Sequence, residues 1–179
     1  YSHAAAWLGW AFAETGHGDI AARVFRMLNP IERTQSHEAV HRYRLEPYAV
    51  AADIASVEPH VGRGGWNWYT GAAAWTWRLG VEAILGLRQR GDQLQIEPQL
   101  PHHWPGYQAT VRTKGGSLEI TVDNVRRRGE AKTEILVDDS PIEGNLVDLP
   151  TNGATHHVVV RQKGVDGDGD DAIAEPAPG

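Results

Sequence analysis

Residues 62–71 read Gly-Arg-Gly-Gly-Trp-Asn-Trp-Tyr-Thr-Gly, and the organisation of the chain follows outward from this segment. Its four glycines allow positive φ angles and a close approach of the backbone to a ligand. Trp66, Trp68 and Tyr69 offer flat apolar faces with polar edges, a combination typical of sugar-binding sites. The segment predicts a ligand-contacting loop. The alternative is a glycine-rich loop with the aromatic side chains packed beneath it.

The residues after this loop predict a helix over 72–87. Thr70 and Gly71 then lie where the helix begins, with backbone N–H groups that lack partners within the helix. The positive end of the helix dipole faces outward at the same place, which favours an anion. Thr70 adds a hydroxyl, and the missing side chain of Gly71 leaves its N–H sterically open.

Three further helices are predicted on the N-terminal side of the loop, over residues 3–14, 20–28 and 48–57. Pro47 suits the first position of the third, and its alanines allow close packing. The polar segment 31–44 predicts a loop with a short helical turn. Helices joined by elaborated loops suit an all-α barrel or bundle.

The hydrophobic period changes from helical to alternating near residue 91. Strands are predicted over residues 94–98, 107–112, 117–122, 133–137 and 156–161, forming an antiparallel sandwich. The tail after Gly164 lacks periodicity and predicts disorder. The chain is thus expected to be an α+β multidomain protein with a helical part at 1–90, a β-sandwich at 91–163 and a tail at 164–179.

Composition narrows the class of protein. A length of 179 residues fits one or two domains, and a net charge of −6 without a run of Lys and Arg argues against nucleic-acid binding. No cysteine is present, so a disulfide scaffold and a Cys-ligated metal site are excluded. Seven Trp against two Phe favours a carbohydrate cleft. Tyr1 starts directly in a helical pattern, so we expect a piece of a longer polypeptide.

Histidine motifs raise the alternative of a metal enzyme. His37 and His41 form an H-E-x-x-H pattern, which on a helix places two imidazoles around zinc. Short motifs often match by chance, and the polar flanks leave little room for a long buried helix. The neighbouring pairs His102-His103 and His156-His157 are predicted to alternate faces of strands, to lie on the surface and not to share a site. The acidic run 166–170 lacks the Glu that a calcium loop requires. No metal or other cofactor is expected.

A family resemblance extends over about residues 1–122 and weakens afterwards. The residues that carry it are, in chain order, His3-Ala4, Leu28-Asn29-Pro30, Arg42-Tyr43, Glu46-Pro47-Tyr48, Ala52-Asp53, Gly64-Gly65-Trp66, Trp68-Tyr69-Thr70-Gly71, Ile84-Leu85-Gly86-Leu87, Leu94-Gln95-Ile96 with Pro98, and Leu100-Pro101 with Trp104-Pro105-Gly106. This ordered series resembles the C-terminal part of the cellobiose and chitobiose phosphorylases, glycoside hydrolase family 94. Within that family it resembles in particular the phosphorylase-like domain that ends cyclic β-1,2-glucan synthases.

The resemblance implies the last helices of an (α/α)6 barrel followed by an antiparallel β-sandwich. It implies inverting transfer of a glucosyl unit between a β-glucan and inorganic phosphate, with α-glucose 1-phosphate as product or donor. His3, Thr70 and Gly71 would bind the phosphate co-substrate, and Trp66, Trp68 and Tyr69 would contact sugar. The general acid and a phosphate-clamping arginine would lie upstream of Tyr1, so the 179 residues alone are expected to be inactive. Glu46 and Asp53 are not assigned that role.

Two other functions stay open. One is a non-catalytic carbohydrate-binding module in which the β-half binds glucan, and the other is a zinc hydrolase that uses His37 and His41. The expected partners are a β-glucan, phosphate and the remainder of the parent polypeptide, with a homodimer as an open alternative. The expected location is the cytoplasm, with attachment of the parent to the inner membrane through upstream segments also open.

Overall fold

The computed structural model describes residues 1–68, 70–124 and 133–162. Helices occupy the first half and strands the second, so the chain has the α+β composition that the sequence predicts. The helices are α1 (Ser2–Glu14), α2 (Gly18–Leu28), a 3-10 helix (Glu32–Thr34), α3 (His37–Tyr43), α4 (Thr70–Arg78) and a π-helix (Leu79–Ile84). The strands are β1 (Leu87–Arg90), β2 (Gln93–Ile96), β3 (Gly106–Thr113), β4 (Gly116–Asp123), β5 (Glu134–Val137), β6 (Ser140–Ile142), β7 (Leu146–Asp148) and β8 (Thr155–Arg161).

Small residues bring the first helices together. The buried face of α1 contains Ala6, Gly9 and Ala13. A Cβ atom added to Gly9 would lie 2.8 Å from the Leu79 side chain and 3.1 Å from that of Val24. The absence of that atom therefore lets α1 pack closely on both α2 and the π-helix. The helices predicted over 3–14 and 20–28 are confirmed, each beginning slightly earlier than expected.

The prediction of a helix over 48–57 is wrong, because this segment is a loop in the structure. Its backbone groups find partners further along the chain: the N–H of Ala52 donates to the carbonyl of Trp66 at 2.6 Å, and that of Ala55 donates to Arg63 at 2.8 Å. Ile54 forms an isolated antiparallel bridge with Gly64. These cross-loop hydrogen bonds replace those of a helix, so tertiary contacts override the helical propensity of the alanines.

The segment 31–44 is more helical than the predicted loop with a single turn. The Ser36 hydroxyl accepts a hydrogen bond from the Ala39 N–H at 3.1 Å and so caps α3. Arg44 ends α3 in a left-handed conformation, with φ of 60°. The H-E-x-x-H residues therefore do lie on a helix, but it is only seven residues long.

The helix predicted over 72–87 is present, but it begins and ends earlier in the chain than the sequence predicts. It starts at Thr70, changes to π-helical geometry at Leu79 and stops at Ile84. Gly86 follows with φ of +73°, and a Cβ atom there would lie 2.2 Å from the carbonyl of Glu97. A glycine just beyond a helix commonly ends it in this way. Leu87, which was predicted as helical, begins strand β1 instead.

The strands form two sheets, with orders β1-β2-β7 and β3-β4-β8-β5-β6. The strong alternating segments are confirmed as β3, β4, β5 and β8, whereas β1, β6 and β7 were not predicted. The antiparallel prediction is wrong for one pair, since β4 and β8 run parallel with Ile120 opposite Val158 and Val122 opposite Val160. Alternation shows which residues face the core but carries no information on the direction of a neighbouring strand.

The core of the described residues is one hydrophobic cluster that joins helices and strands. Leu79 and Ile84 from the helical part belong to the same cluster as Leu118, Ile120 and Val160 from the larger sheet. In the described part of the chain, none of the helices has the length and apolarity that crossing a membrane requires. The predicted tail at 164–179, with its acidic run, lies outside the described residues.

Candidate functional site

Two helices begin side by side at the candidate site. Thr70 and Gly71 form the start of α4, and His3 lies in the first turn of α1. A Cβ atom built on Gly71 would lie 3.4 Å from His3 Nδ1 and 3.5 Å from His3 Cε1. The structure therefore brings the imidazole of His3 against the exposed first turn of α4, where the sequence predicts an anion site.

Aromatic rings fix the orientation of His3. The Tyr1 ring stacks on it at 5.9 Å between centroids, and the Trp7 ring meets it edge-on at 4.7 Å. Trp75 of α4 lies 6.0 Å away. The Nε2 atom is buried and has no hydrogen-bond partner among the described residues. An unsatisfied buried group of this kind costs about 1–3 kcal/mol, so the aromatic contacts and not a hydrogen bond from Nε2 hold the ring in place.

The loop that carries Trp66 and Trp68, here called the aromatic loop, is hydrogen-bonded to the same end of α1. The backbone N–H of Ser2 donates to the carbonyl of Ala52 at 2.7 Å, and the N–H of Ala52 donates to the carbonyl of Trp66 at 2.6 Å. Ser2 and Ala52 are both buried, so the hydrogen bond between them is shielded from water. Two consecutive hydrogen bonds thus relate the position of Trp66 to the start of the helix that carries His3.

The predicted sugar-contacting residues are exposed where the structure describes them. Trp66 is 73% exposed and Trp68 is 65% exposed, so the alternative that they pack beneath the loop is wrong for both. Trp68 adopts a left-handed conformation with φ of 59°, and its ring meets that of Tyr48 at 6.0 Å. Tyr69 lies outside the described residues. Tyr48, which the sequence reasoning did not select, adds an exposed aromatic face beside Trp68.

Two acidic residues, Glu46 and Asp53, lie against this loop. Asn67 donates a hydrogen bond from its side-chain amide to Glu46. The pKa of Glu46 is lowered by a hydrogen bond from its own backbone N–H and then by the Asn67 and Trp68 side chains. Asp53 lies against Gly65, whose N–H donates to the Asp53 carbonyl at 2.9 Å. A Cβ atom on Gly65 would lie 1.8 Å from the Asp53 carboxylate, so only glycine fits there without a shift.

The arrangement at α4 suits a multiply charged anion. An imidazole can donate a hydrogen bond, Thr70 carries a hydroxyl, and the helix start contributes N–H groups with a positive dipole. Charge-assisted hydrogen bonds of these kinds are typical of phosphate binding. The His3–Trp7 contact has the i,i+4 spacing of a helix face, a signal that was available in the sequence.

The histidine predictions have mixed outcomes. His37 and His41 are exposed on α3, and no third His, Asp or Glu groups with them as a ligand set among the described residues. The prediction that His102 and His103 cannot share a site is wrong, because they lie in a turn and not in a strand. They reach a common position beside Asp19. The pair at His156 and His157 does lie in a strand, where the first contacts Asp138 and the second Glu119.

Comparisons with known proteins match both parts of the chain. Residues 1–86 match the family described as "Glycosyl hydrolase 94 superfamily, catalytic domain", and residues 87–143 match "Glycosyl hydrolase family 65, C-terminal domain". The boundary between the two matches coincides with the start of β1 at Leu87.

Three relatives are similar to this chain. The cyclic beta-(1,2)-glucan synthase NdvB of Rhizobium meliloti (strain 1021) is 51% identical over 130 residues, which are 73% of this chain and 5% of that protein. The N,N'-diacetylchitobiose phosphorylase of Vibrio proteolyticus is 27% identical over 161 residues, 89% of this chain and 20% of the relative. The solabiose phosphorylase of Paenibacillus borealis is 27% identical over 116 residues, 64% of this chain and 15% of the relative.

The chain thus spans between 5% and 20% of the length of these relatives. Its similarity includes the segments that carry His3, the aromatic loop and the start of α4, all within residues 1–86. Through that helical part the chain belongs to the glycosyl hydrolase 94 superfamily.

Proposed function

We propose that this chain is the C-terminal section of an inverting β-glucan phosphorylase domain within a cyclic β-1,2-glucan synthase. The domain transfers a glucosyl unit between a β-glucan and inorganic phosphate, with α-glucose 1-phosphate as the product or the donor. The helices α1 to α4 would be the last helices of an (α/α)6 barrel. In this proposal the 179 residues are inactive by themselves because the general acid is upstream.

The contact of His3 with Gly71 carries the proposal. It places an imidazole edge, with Nδ1 at 3.4 Å from the Cβ position of Gly71, beside the first turn of a helix. Phosphate at this place would accept hydrogen bonds from His3, from the Thr70 hydroxyl and from the backbone N–H groups of the turn. Two of the three relatives described above are named as phosphorylases, which supports the choice of phosphate as the anion.

The chemistry follows from the use of phosphate as nucleophile. An inverting hydrolase needs a carboxylate base to activate water on the face opposite the leaving group. Phosphate attacks the anomeric carbon directly, so binding and orienting the anion replaces that base. The bond to the leaving glycosidic oxygen breaks, and a general acid outside this chain protonates that oxygen. His3, Thr70 and Gly71 therefore act by holding the attacking oxygen in position.

Trp66 and Trp68 are proposed to contact the sugar. Both are more than half exposed, and their segment is hydrogen-bonded to the start of α1 through Ala52. Aromatic faces stack on the apolar faces of pyranose rings, so these tryptophans would hold glucan near the anion. Tyr69 is proposed to contact the sugar as well, on the basis of the family resemblance.

The binding-module alternative receives less support. The most exposed aromatic side chains of the described residues, Trp66, Tyr48, Tyr1 and Trp68, lie in the helical half. Among the described strands and their loops, the exposed large apolar side chains are Trp104 at 38% and Leu146 at 43%. A glucan-binding surface is therefore better placed on the helical half than on the sheets.

The test is the steady-state kinetics of Thr70→Val in the complete protein. Valine has nearly the shape of threonine but lacks the hydroxyl, so the KM for phosphate should rise about tenfold, the effect of losing one hydrogen bond to a charged ligand. The KM for glucan should change much less. Thr76→Val, in the same helix but buried, is the matched control and should leave both values near those of the wild type. Equal effects of Thr70→Val on phosphate and glucan would refute the proposal.

A further inference from the structure

A second cluster of ligand-type side chains lies at the start of α2. The Nδ1 atom of His102 is 2.7 Å from the Asp19 carboxylate, and the backbone N–H of His102 donates to the same oxygen at 3.1 Å. The His103 ring lies 5.5 Å from that of His102. One ligand atom from each of these three residues lies within 4.8 Å of the other two, and all three side chains are exposed to solvent.

A buried asparagine holds the turn that carries the two histidines. The side-chain amide of Asn124, which is only 5% exposed, donates to the carbonyl of Pro101 at 3.0 Å and to that of Trp104 at 2.7 Å. The Trp104 N–H also donates to Pro101, at 3.1 Å. Pro101 is itself fully buried. His102 and His103 therefore project from a turn that is fixed at both ends.

Asp19 is fixed against the same turn from the other side. The preceding residue, Gly18, packs so closely on the segment between β2 and β3 (residues 97–105) that a Cβ atom there would lie 2.3 Å from the carbonyl oxygen of Gln99. Asp19 lies in the first turn of α2, directly after this contact. The three side chains thus stand on rigid backbone supports, which is the condition for a preorganised ligand set.

We propose that Asp19, His102 and His103 bind a divalent transition-metal ion, with zinc as the expected ion. Two imidazole nitrogens and one carboxylate oxygen are ligands that zinc accepts at about 2.0–2.2 Å, and three protein ligands leave one tetrahedral position for water. Magnesium and calcium prefer oxygen ligands and would not be held by two imidazoles. Binding replaces the hydrogen bond between His102 and Asp19, so the ion displaces the proton shared by that pair.

The ion would connect the two parts of the chain. Asp19 belongs to the helical part, whereas His102 and His103 lie in the turn before β3 of the larger sheet. A ligand that binds the folded state stabilises it by mass action, so zinc should stabilise the packing of α2 on the segment 97–105. This site shares no residue with the phosphate site and does not depend on the proposed function.

Zinc affinity and its thermal effect test this site in the complete protein. Calorimetric titration with zinc, and the visible absorption of bound cobalt, should show a site that depends on these three residues, and zinc should raise Tm. Asp19→Asn and His103→Ala should each lower zinc affinity at least tenfold and reduce the Tm increase measured at the same zinc concentration, since loss of even an outer partner of a metal site costs about 10–100-fold. His103→Ala removes no hydrogen bond that the structure shows, so it should remain folded.

The matched control is His41→Ala, because His37 and His41 form an exposed i,i+4 pair that could hold a metal through two ligands. This variant should retain the wild-type zinc affinity and Tm increase. Loss of zinc binding in His41→Ala with retention in His103→Ala would overturn the assignment. Unchanged zinc affinity in both Asp19→Asn and His103→Ala would overturn it as well.

Discussion

His3 Nδ1 lies 3.4 Å from the position that a Cβ on Gly71 would occupy. This contact joins the starts of α1 and α4, which are separated along the chain by α2, the 3-10 helix, α3 and the loop that follows α3. Tyr1, Trp7 and Trp75 surround the same ring. The proposed phosphate site depends on this juxtaposition, because the helix start alone would offer N–H groups without a side-chain donor opposite them.

Gly71→Ala tests whether the space between the two groups is used. The added methyl would meet His3 at 3.4–3.5 Å, an ordinary van der Waals distance, so the protein should fold with unchanged or slightly higher stability. The methyl would occupy volume that phosphate needs, and the KM for phosphate should rise about tenfold, equivalent to about 1.4 kcal/mol. Steady-state kinetics and thermal unfolding of the complete protein measure the two effects.

Ala74→Gly is the control for this substitution, since it changes helix propensity one turn further along α4. It should lower stability by about 1 kcal/mol without changing the KM for phosphate. If Gly71→Ala binds phosphate as well as the wild type does, the anion does not lie between His3 and α4.

Thr76→Val should stabilise the protein. The Thr76 side chain is buried, and its hydroxyl has no hydrogen-bond partner among the residues that the structure describes. Replacing the hydroxyl by a methyl group removes an unsatisfied polar group that costs about 1–3 kcal/mol, so the free energy of unfolding should increase by about 1 kcal/mol. Urea denaturation measures the change. Thr76→Ser is the control: it keeps the hydroxyl but loses a buried methyl group, so it should destabilise the protein. Similar losses of unfolding free energy in both variants would show that the hydroxyl has a hydrogen-bond partner.

Glu46 should make the free energy of unfolding of the protein depend on pH. Hydrogen bonds from its own N–H, from Asn67 and from Trp68 hold its pKa below the ordinary 4.5 in the folded protein. A carboxyl group with a lowered folded pKa stabilises the fold at pH values above its unfolded pKa, and this contribution is lost as pH falls through the folded value. The difference in unfolding free energy between wild type and Glu46→Gln should therefore be largest near neutral pH and shrink in acid.

Asn67→Ala provides the matching measurement, because it removes the side-chain amide that donates to Glu46. The same Glu46→Gln comparison in this background should depend less on pH. A wild-type advantage that stays constant from neutral pH into acid would show that the pKa of Glu46 is not lowered by folding.

The sequence was a good guide to elements whose signals are local. The apolar stripes of α1 and α2 and the alternation of β3, β4 and β8 are contained within each segment, and all five elements were found. The prediction of a helix over 48–57 fails because the hydrogen-bond partners of this segment, at residues 63–66, lie outside any local window. The parallel pairing of β4 with β8 is likewise a property of the fold and not of either strand.

At the candidate sites, too, features with a local sequence signal could be predicted, whereas contacts between distant residues could not. The start of α4 was expected as an anion site from its own sequence, but the role of His3 came only from the family resemblance, because no local pattern links it to Gly71. The proximity of Asp19 to His102 could not be predicted, since 83 positions separate them and the turn holding His102 was predicted as part of a strand pattern. Residues that meet through the tertiary fold leave no spacing in the sequence to detect.

The most direct measurement is the position of an oxyanion in the complete protein, located by the anomalous scattering of arsenic in crystals soaked with arsenate, a close mimic of phosphate. We expect a peak between α1 and α4, with arsenate oxygens within about 2.7–3.2 Å of His3 Nδ1 and of the Thr70 hydroxyl. Arsenate bound at saturating concentration elsewhere, with no peak between His3 and Thr70, would contradict it.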